Sequence, residues 1–73
     1  MKPTVLLGNT VRRLREAKGW SQEEMAEKAG LHRTYISGIE RGIRNPTLTI
    51  LFKLANALGV EPGTLVNRKS TKP

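Results

Sequence analysis

Arg33, Thr34, Ser37 and Arg41 lie within one stretch, His32 to Arg41, at steps of one, three and four residues. At about 100° per residue of a helix they share one arc with Gly38, while Tyr35, Ile36 and Ile39 take the opposite arc. The outer arc holds two arginines, two hydroxyls and a glycine, with no acid and no large apolar group. Guanidinium and hydroxyl groups bond phosphate oxygens and the acceptors on base edges, and a face without bulky groups can approach both closely. The acids Glu16, Glu23, Glu24 and Glu27 lie upstream, whereas Arg33, Arg41 and Arg44 lie on this stretch and the loop after it. That segregation is the electrostatic footprint of a groove binder.

Other chemistry finds little support. Ser21, Ser37 and His32 supply hydroxyls and an imidazole, but the serines fall on helix ends or faces that make no triad. There is no glycine-rich phosphate loop and no carboxylate pair. The chain has no cysteine, and His32 is its one histidine, so neither a disulfide nor a clustered metal site is expected. The sequence is read as a non-enzyme with no metal, no cofactor and no small-molecule ligand.

Thirteen basic residues against six acidic ones give a net charge of +7, which suits a polyanion partner. Arg68, Lys69 and Lys72 contribute to that excess from the last six residues. The charge therefore argues less strongly than its placement does. No apolar run approaches the roughly 20 residues of a membrane span, and Val5-Leu6-Leu7 is too short for a secretory core, so a cytoplasmic protein with no membrane partner is expected. A 73-residue chain is one domain with a marginal core, for which pairing with a second copy is a plausible source of further burial.

Glycines and prolines divide the chain at Gly19, Gly30, Gly42 to Pro46, and Gly59. The segments between have helical period, and no strand-like alternation appears, which predicts an all-α fold of five helices. The first helix is expected over Val5 to Lys18, with Leu7, Val11 and Leu14 as its apolar stripe and Arg15 on the flank. The second starts at Ser21, where Ser21 and Glu24 have the spacing of a capping box; Met25, Ala26 and Ala29 face inward. Trp20, just before the cap, is expected to staple the helix or join the core. The third helix runs from His32 to Arg41. The fourth is expected over Thr47 to Leu58, with Leu48, Leu51, Ala55 and Leu58 inward; Ile50 and Phe52 fall off that stripe, either packed on the first or fifth helix or exposed at an interface. A short fifth helix is expected from Pro62 to Val66, since proline suits a first helical position. Residues 1–66 form the domain, and 67–73 are expected to be a disordered basic tail.

Gln22 to Ile39 has the spacing of a helix-turn-helix. Ala26 is the small residue needed where the two helices approach. Gly30 supplies a turn position tolerant of positive φ, and Ile36 and Ile39 point back from the second helix.

Over about Leu7 to Val66 the chain resembles the lambda-repressor-like, Cro and XRE-type helix-turn-helix regulators. The resemblance rests on Leu14-Arg15-x-x-Lys18-Gly19-x-Ser21-Gln22-Glu23-Glu24, Ala26, Ala29-Gly30-Leu31, Arg33-Thr34-Tyr35-Ile36-Ser37, Ile39-Glu40-Arg41-Gly42, Arg44-Asn45-Pro46, Leu54-Ala55 and Ala57-Leu58-Gly59-Val60. The run Leu31 to Ser37 is also similar to controller proteins of restriction–modification systems. The resemblance implies a sequence-specific regulator that binds double-stranded DNA as a homodimer on a palindromic operator, as a controller protein or a prophage-type repressor. An antitoxin that also binds DNA is the alternative. It implies base contacts from Arg33, Thr34 and Ser37, and backbone contacts from Gln22, His32, Tyr35, Arg41 and Arg44. It further implies that Gln22 braces the reading helix, and that Arg15 and Glu40 form a partly buried ion pair between the first and third helices. Val60, Pro62, Leu65 and Val66 are implied at the dimer axis. The position of Gly38 often carries a reading side chain in such regulators; here readout is lost there or becomes a close backbone approach. His32 stands where serine or threonine is common, and either caps the helix or reaches a phosphate.

Overall fold

The computed structural model describes residues 1–68, and Lys69 to Pro73, most of the expected tail, lie outside the described residues. Five helices follow in order: α1 Pro3–Ala17, α2 Gln22–Ala29, α3 Arg33–Glu40, α4 Leu48–Leu58 and α5 Pro62–Leu65. No strand occurs among the described residues.

Local chemistry sets most of the boundaries. Pro3 sits in the first turn of α1, so this helix starts two residues before Val5, its expected first residue. At Ser21 the capping box is complete: the hydroxyl accepts from the Glu24 N–H at 3.0 Å and Glu24 Oε1 accepts from the Ser21 N–H at 2.9 Å. Gly30 ends α2 at φ 69°, ψ 36°, a left-handed conformation that a side chain would strain, and this sharp stop turns the chain into α3. Thr47 caps α4 by accepting from the Ile50 N–H at 3.3 Å. His32 occupies the corresponding place before α3 with an extended backbone, but its side chain makes no capping bond. Of the two roles open to His32, capping is therefore excluded.

The core is drawn from all five helices. Leu7, Val11, Met25, Ala26, Ala29, Ile36, Ile39, Leu54, Ala55, Leu58 and Leu65 form one buried cluster, and Leu14, Trp20 and Leu31 pack against its edge. Thr10, also fully buried, satisfies its hydroxyl by donating to the Leu6 carbonyl at 2.9 Å. Helices α1 and α3 meet at Gly8: a Cβ built there would stand 2.4 Å from the Ile39 carbonyl oxygen and 2.8 Å from that of Glu40. Only glycine lets the two backbones approach so far. Ala26 on α2 is buried in the same core at 4% exposure.

Helix α4 departs from the expected stripe. Leu54, Ala55 and Leu58 are buried and Leu51 is half-buried, but Leu48 is 70% exposed. At about 100° per residue the buried arc centres near Leu58 and Leu51 and extends to Leu54, while Leu48 lies at its far edge beside Phe52. Phe52 is 53% exposed. The apolar surface of α4 is thus wider than the protomer covers.

Candidate nucleic-acid interface

Helix α3 presents the arc expected of it. Arg33, Thr34 and Arg41 are exposed, Ser37 is half-buried, and Ile36 and Ile39 are fully buried on the opposite side. Packing against both α1 and α2 through Ile36 and Ile39 fixes the rotation of the helix, and so fixes which residues face outward. Beside it, the first turn of α2 exposes Glu23 and leaves Gln22 half-buried. Glu23 Oε1 lies 3.9 Å from Arg33 Nε, an open ion pair between two exposed side chains that solvent screens almost completely.

A buried polar network anchors the C-terminal end of α3. Arg15 Nε donates to Glu40 Oε2 at 2.6 Å and its second terminal nitrogen donates to Oε1 at 3.0 Å, a two-pronged pair. The first terminal nitrogen donates to the Trp20 carbonyl at 2.6 Å. The two side chains are only 11% and 4% exposed. The bond to Glu40 raises the Arg15 pKa above its ordinary value, against the opposing effect of burial. The same network reaches α2: Gln22 Nε2 donates to Glu40 Oε1 at 3.1 Å. One amide hydrogen of Gln22 is thereby committed to Glu40, and the amide group has a second to donate. Gln22 thus ties the first turn of α2 to Glu40 at the end of α3, a partner that residue spacing does not disclose.

Trp20 lies half-buried against the core, with the Lys18 and Lys28 ammonium groups 5.2 and 5.0 Å from its ring centroid. It is therefore a packing residue carrying two cations, as the staple-or-core reading of this position requires.

In the loop after α3, the exposed Arg44 folds back, with its guanidinium carbon 5.5 Å from the Tyr35 ring centroid. Gly38 is buried beneath it: a Cβ at that position would fall 2.7 Å from Arg44 Cγ. Arg44 thus lies over α3 at the position where Gly38 has no side chain.

The residues expected at a dimer axis separate into three places. Val60 and Pro62 line an open groove with Leu48, Phe52, Ala55 and Glu61. Val66 lies in a different, smaller cleft with Pro3, Leu7, Pro46 and Leu51. Leu65 is fully buried in the protomer's own core, so it is not available to a partner. The resemblance implied this residue at the axis, but α5 turns its side chain inward to close the core of the protomer. Among the described residues no cluster of three or more potential metal ligands occurs, and no helix is long and apolar enough to cross a membrane.

Two short packed helices joined by a tight turn at Gly30, the second with a fixed outward arc, are the architecture of a helix-turn-helix domain. The helix-turn-helix family model matches residues 11–65, and the chain belongs to this family, in its XRE-type branch of transcriptional regulators. It is 48% identical over 64 residues to the control protein C.BamHI of Bacillus amyloliquefaciens, covering 86% of this chain and 79% of that one. Among solved structures it is similar to the restriction–modification controller protein C.AhdI of Aeromonas hydrophila, with a TM-score of 0.82 and 50% identity over 85% of this chain and 94% of that one. The N-terminal DNA-binding domain of SinR from Bacillus subtilis also matches, with a TM-score of 0.82 and 38% identity over 88% of this chain and 94% of that one.

Proposed function

We propose that the protein is a sequence-specific, double-stranded DNA-binding regulator of the controller type, acting in the cytoplasm as a homodimer on a two-fold symmetric operator. The observation that carries this reading is the outward arc of α3, where Arg33, Thr34, Ser37 and Arg41 face solvent on a helix whose rotation is fixed by buried Ile36 and Ile39. The likeness to two controller proteins and to a domain described as DNA-binding supports it.

Arg33, in the first turn of α3, is long enough to bond both acceptors of a guanine in the major groove, while Thr34 and Ser37 supply shorter contacts to neighbouring bases. The α2 N-terminus, with its free N–H groups and the second amide hydrogen of Gln22, takes a backbone phosphate at the groove's edge. His32, Tyr35, Arg41 and Arg44 flank the same groove and meet the backbone on either side. Because Arg15 neutralises Glu40 within the fold, the carboxylate that holds Gln22 does not repel that phosphate.

One protomer cannot read enough sequence. Its longest extent is 27 Å, shorter than the roughly 34–36 Å that separates successive major-groove faces on one side of B-DNA. Two copies related by a two-fold axis span that distance. The surface best suited to the axis is the groove of Leu48, Phe52, Val60 and Pro62, where large apolar groups stand exposed.

Selection from a random duplex pool tests this reading. The parent protein should enrich a two-fold symmetric site with half-sites about 10 base pairs apart. Arg33→Ala should relax the preference at one base pair per half-site, losing about 1–3 kcal/mol of discrimination. No enrichment over the input pool would refute DNA reading by α3. A mutant that bound every sequence uniformly more weakly would move Arg33 to a phosphate.

A further inference from the structure

The geometry points to Gly38 as a positioning residue: its missing side chain is the seat in which Arg44 is held against α3, ready for DNA. This inference rests on the proposed DNA-facing role of α3 and the loop after it. Two independent contacts define the seat. At one end a methyl group on Gly38 would stand 2.7 Å from Arg44 Cγ, 3.1 Å from Nε and 3.5 Å from Cδ, so the arginine stem occupies the space a side chain would take. At the other end the guanidinium lies over Tyr35, 5.5 Å from the ring centroid, within the range of a cation–π contact. The loop is tied down as well, since the Ile43 N–H donates to the Gly38 carbonyl at 3.1 Å.

A long arginine on a loop ordinarily samples many rotamers, and binding must then order it at an entropic cost. Here the stem lies flat along the helix in the free protein and the head is stacked. The ordering cost is met on folding instead. Glycine in a helix interior is unfavourable by itself, so its presence at position 38 calls for a compensating role, and the Arg44 stem supplies one. The atoms that a methyl group would strike belong to a flexible side chain and not to backbone. Gly38→Ala should therefore fold and simply evict Arg44. This separates Gly38 from Gly8, whose neighbours are main-chain carbonyls.

The seat can be tested with and without DNA. In the free protein the Arg44 side-chain protons should show an upfield ring-current shift from Tyr35 by NMR, and Gly38→Ala should abolish it. Absence of that shift in the parent would overturn the seat whatever happens with DNA. The parent, Gly38→Ala, Arg44→Ala and the double variant are then titrated by fluorescence anisotropy against a duplex enriched by the parent from a random pool. Gly38→Ala should weaken binding roughly threefold per protomer, about tenfold for two, the weight of an exposed cation–π contact. Its salt slope should stay near the parent's, because the charge of Arg44 remains. Arg44→Ala should flatten that slope by up to about 2, at about 0.9 per phosphate contact in each of two protomers. Adding Gly38→Ala to Arg44→Ala should cost no further affinity. Parental affinity in Gly38→Ala, or losses that multiply in the double variant, would overturn the inference. A parent protein that enriches no duplex would refute the DNA reading itself, and with it the use of the seat, while the ring-current shift would still report whether the seat exists.

Discussion

Glu40→Ala should be the most damaging single substitution outside the apolar core. It removes the carboxylate that takes two bonds from Arg15, at 2.6 and 3.0 Å, and one from Gln22 at 3.1 Å. Arg15, only 11% exposed, is left charged without its principal partner. Truncating one member of a buried pair costs about 3–5 kcal/mol, mostly from the stranded charge. Two features place the effect at the lower end. The Trp20 carbonyl still accepts from Arg15 at 2.6 Å, and Glu16 Oε2 stands 3.9 Å from its terminal nitrogen. About 3 kcal/mol is still a large part of the stability of a domain this small. Since 1 kcal/mol shifts the melting temperature of such a domain by about 4–8 °C, the expected fall is about 12–24 °C. Removing both charges, as in Arg15→Met with Glu40→Met, leaves no stranded ion and should recover most of the loss. Thermal melts by circular dichroism at one fixed protein concentration make the comparison, since dimerisation would otherwise couple to stability. A fall of less than about 4 °C in Glu40→Ala would mean that the pair carries under 1 kcal/mol and that this account of the α1–α3 junction is wrong.

Gly8→Ala drives a methyl group against the Ile39 and Glu40 carbonyls and should cost about 1–3 kcal/mol by overpacking, despite alanine's better helix propensity; a urea midpoint equal to the parent's would show that α1 and α3 can separate freely. Phe52→Glu places a charge in the exposed apolar groove beside Leu48, Val60 and Pro62 and should yield monomers by sedimentation at micromolar concentration, with the fold intact by circular dichroism. A Phe52→Glu protein that remains dimeric would put the axis elsewhere.

The parts of the fold governed by local chemistry were legible from residues alone. The Ser21–Glu24 box, the turn at Gly30 and the split of α3 into Ile36 and Ile39 against Arg33 and Thr34 all follow from spacing, because each depends on neighbours within one or two turns. Readings that needed a third element were less secure. Leu48 and Leu65 illustrate this. Leu48 has the periodicity of a core residue but stands exposed, while Leu65, implied at the dimer axis, is fully buried in a core that α1 and α4 help to build. Gly8 gave no signal as the α1–α3 contact, since a glycine within a helix has several explanations. In the site, the Arg15–Glu40 pair came from family resemblance and is present, but the bond from Gln22 to Glu40 crosses eighteen residues and needed coordinates. The seat of Arg44 on Gly38 is of the same kind. A missing side chain has no pattern of its own until its occupant is seen.

The central claim, that the outward arc of α3 is the DNA-facing surface, is tested most directly by an amide chemical-shift titration with an enriched duplex. The account predicts shifts concentrated at Gln22 and Glu23, along His32 to Gly38, and at Arg41 to Arg44, with the groove of Leu48, Phe52 and Val60 unchanged once the dimer is formed. Shifts centred on that groove, with the α3 amides unmoved at saturation, would contradict it.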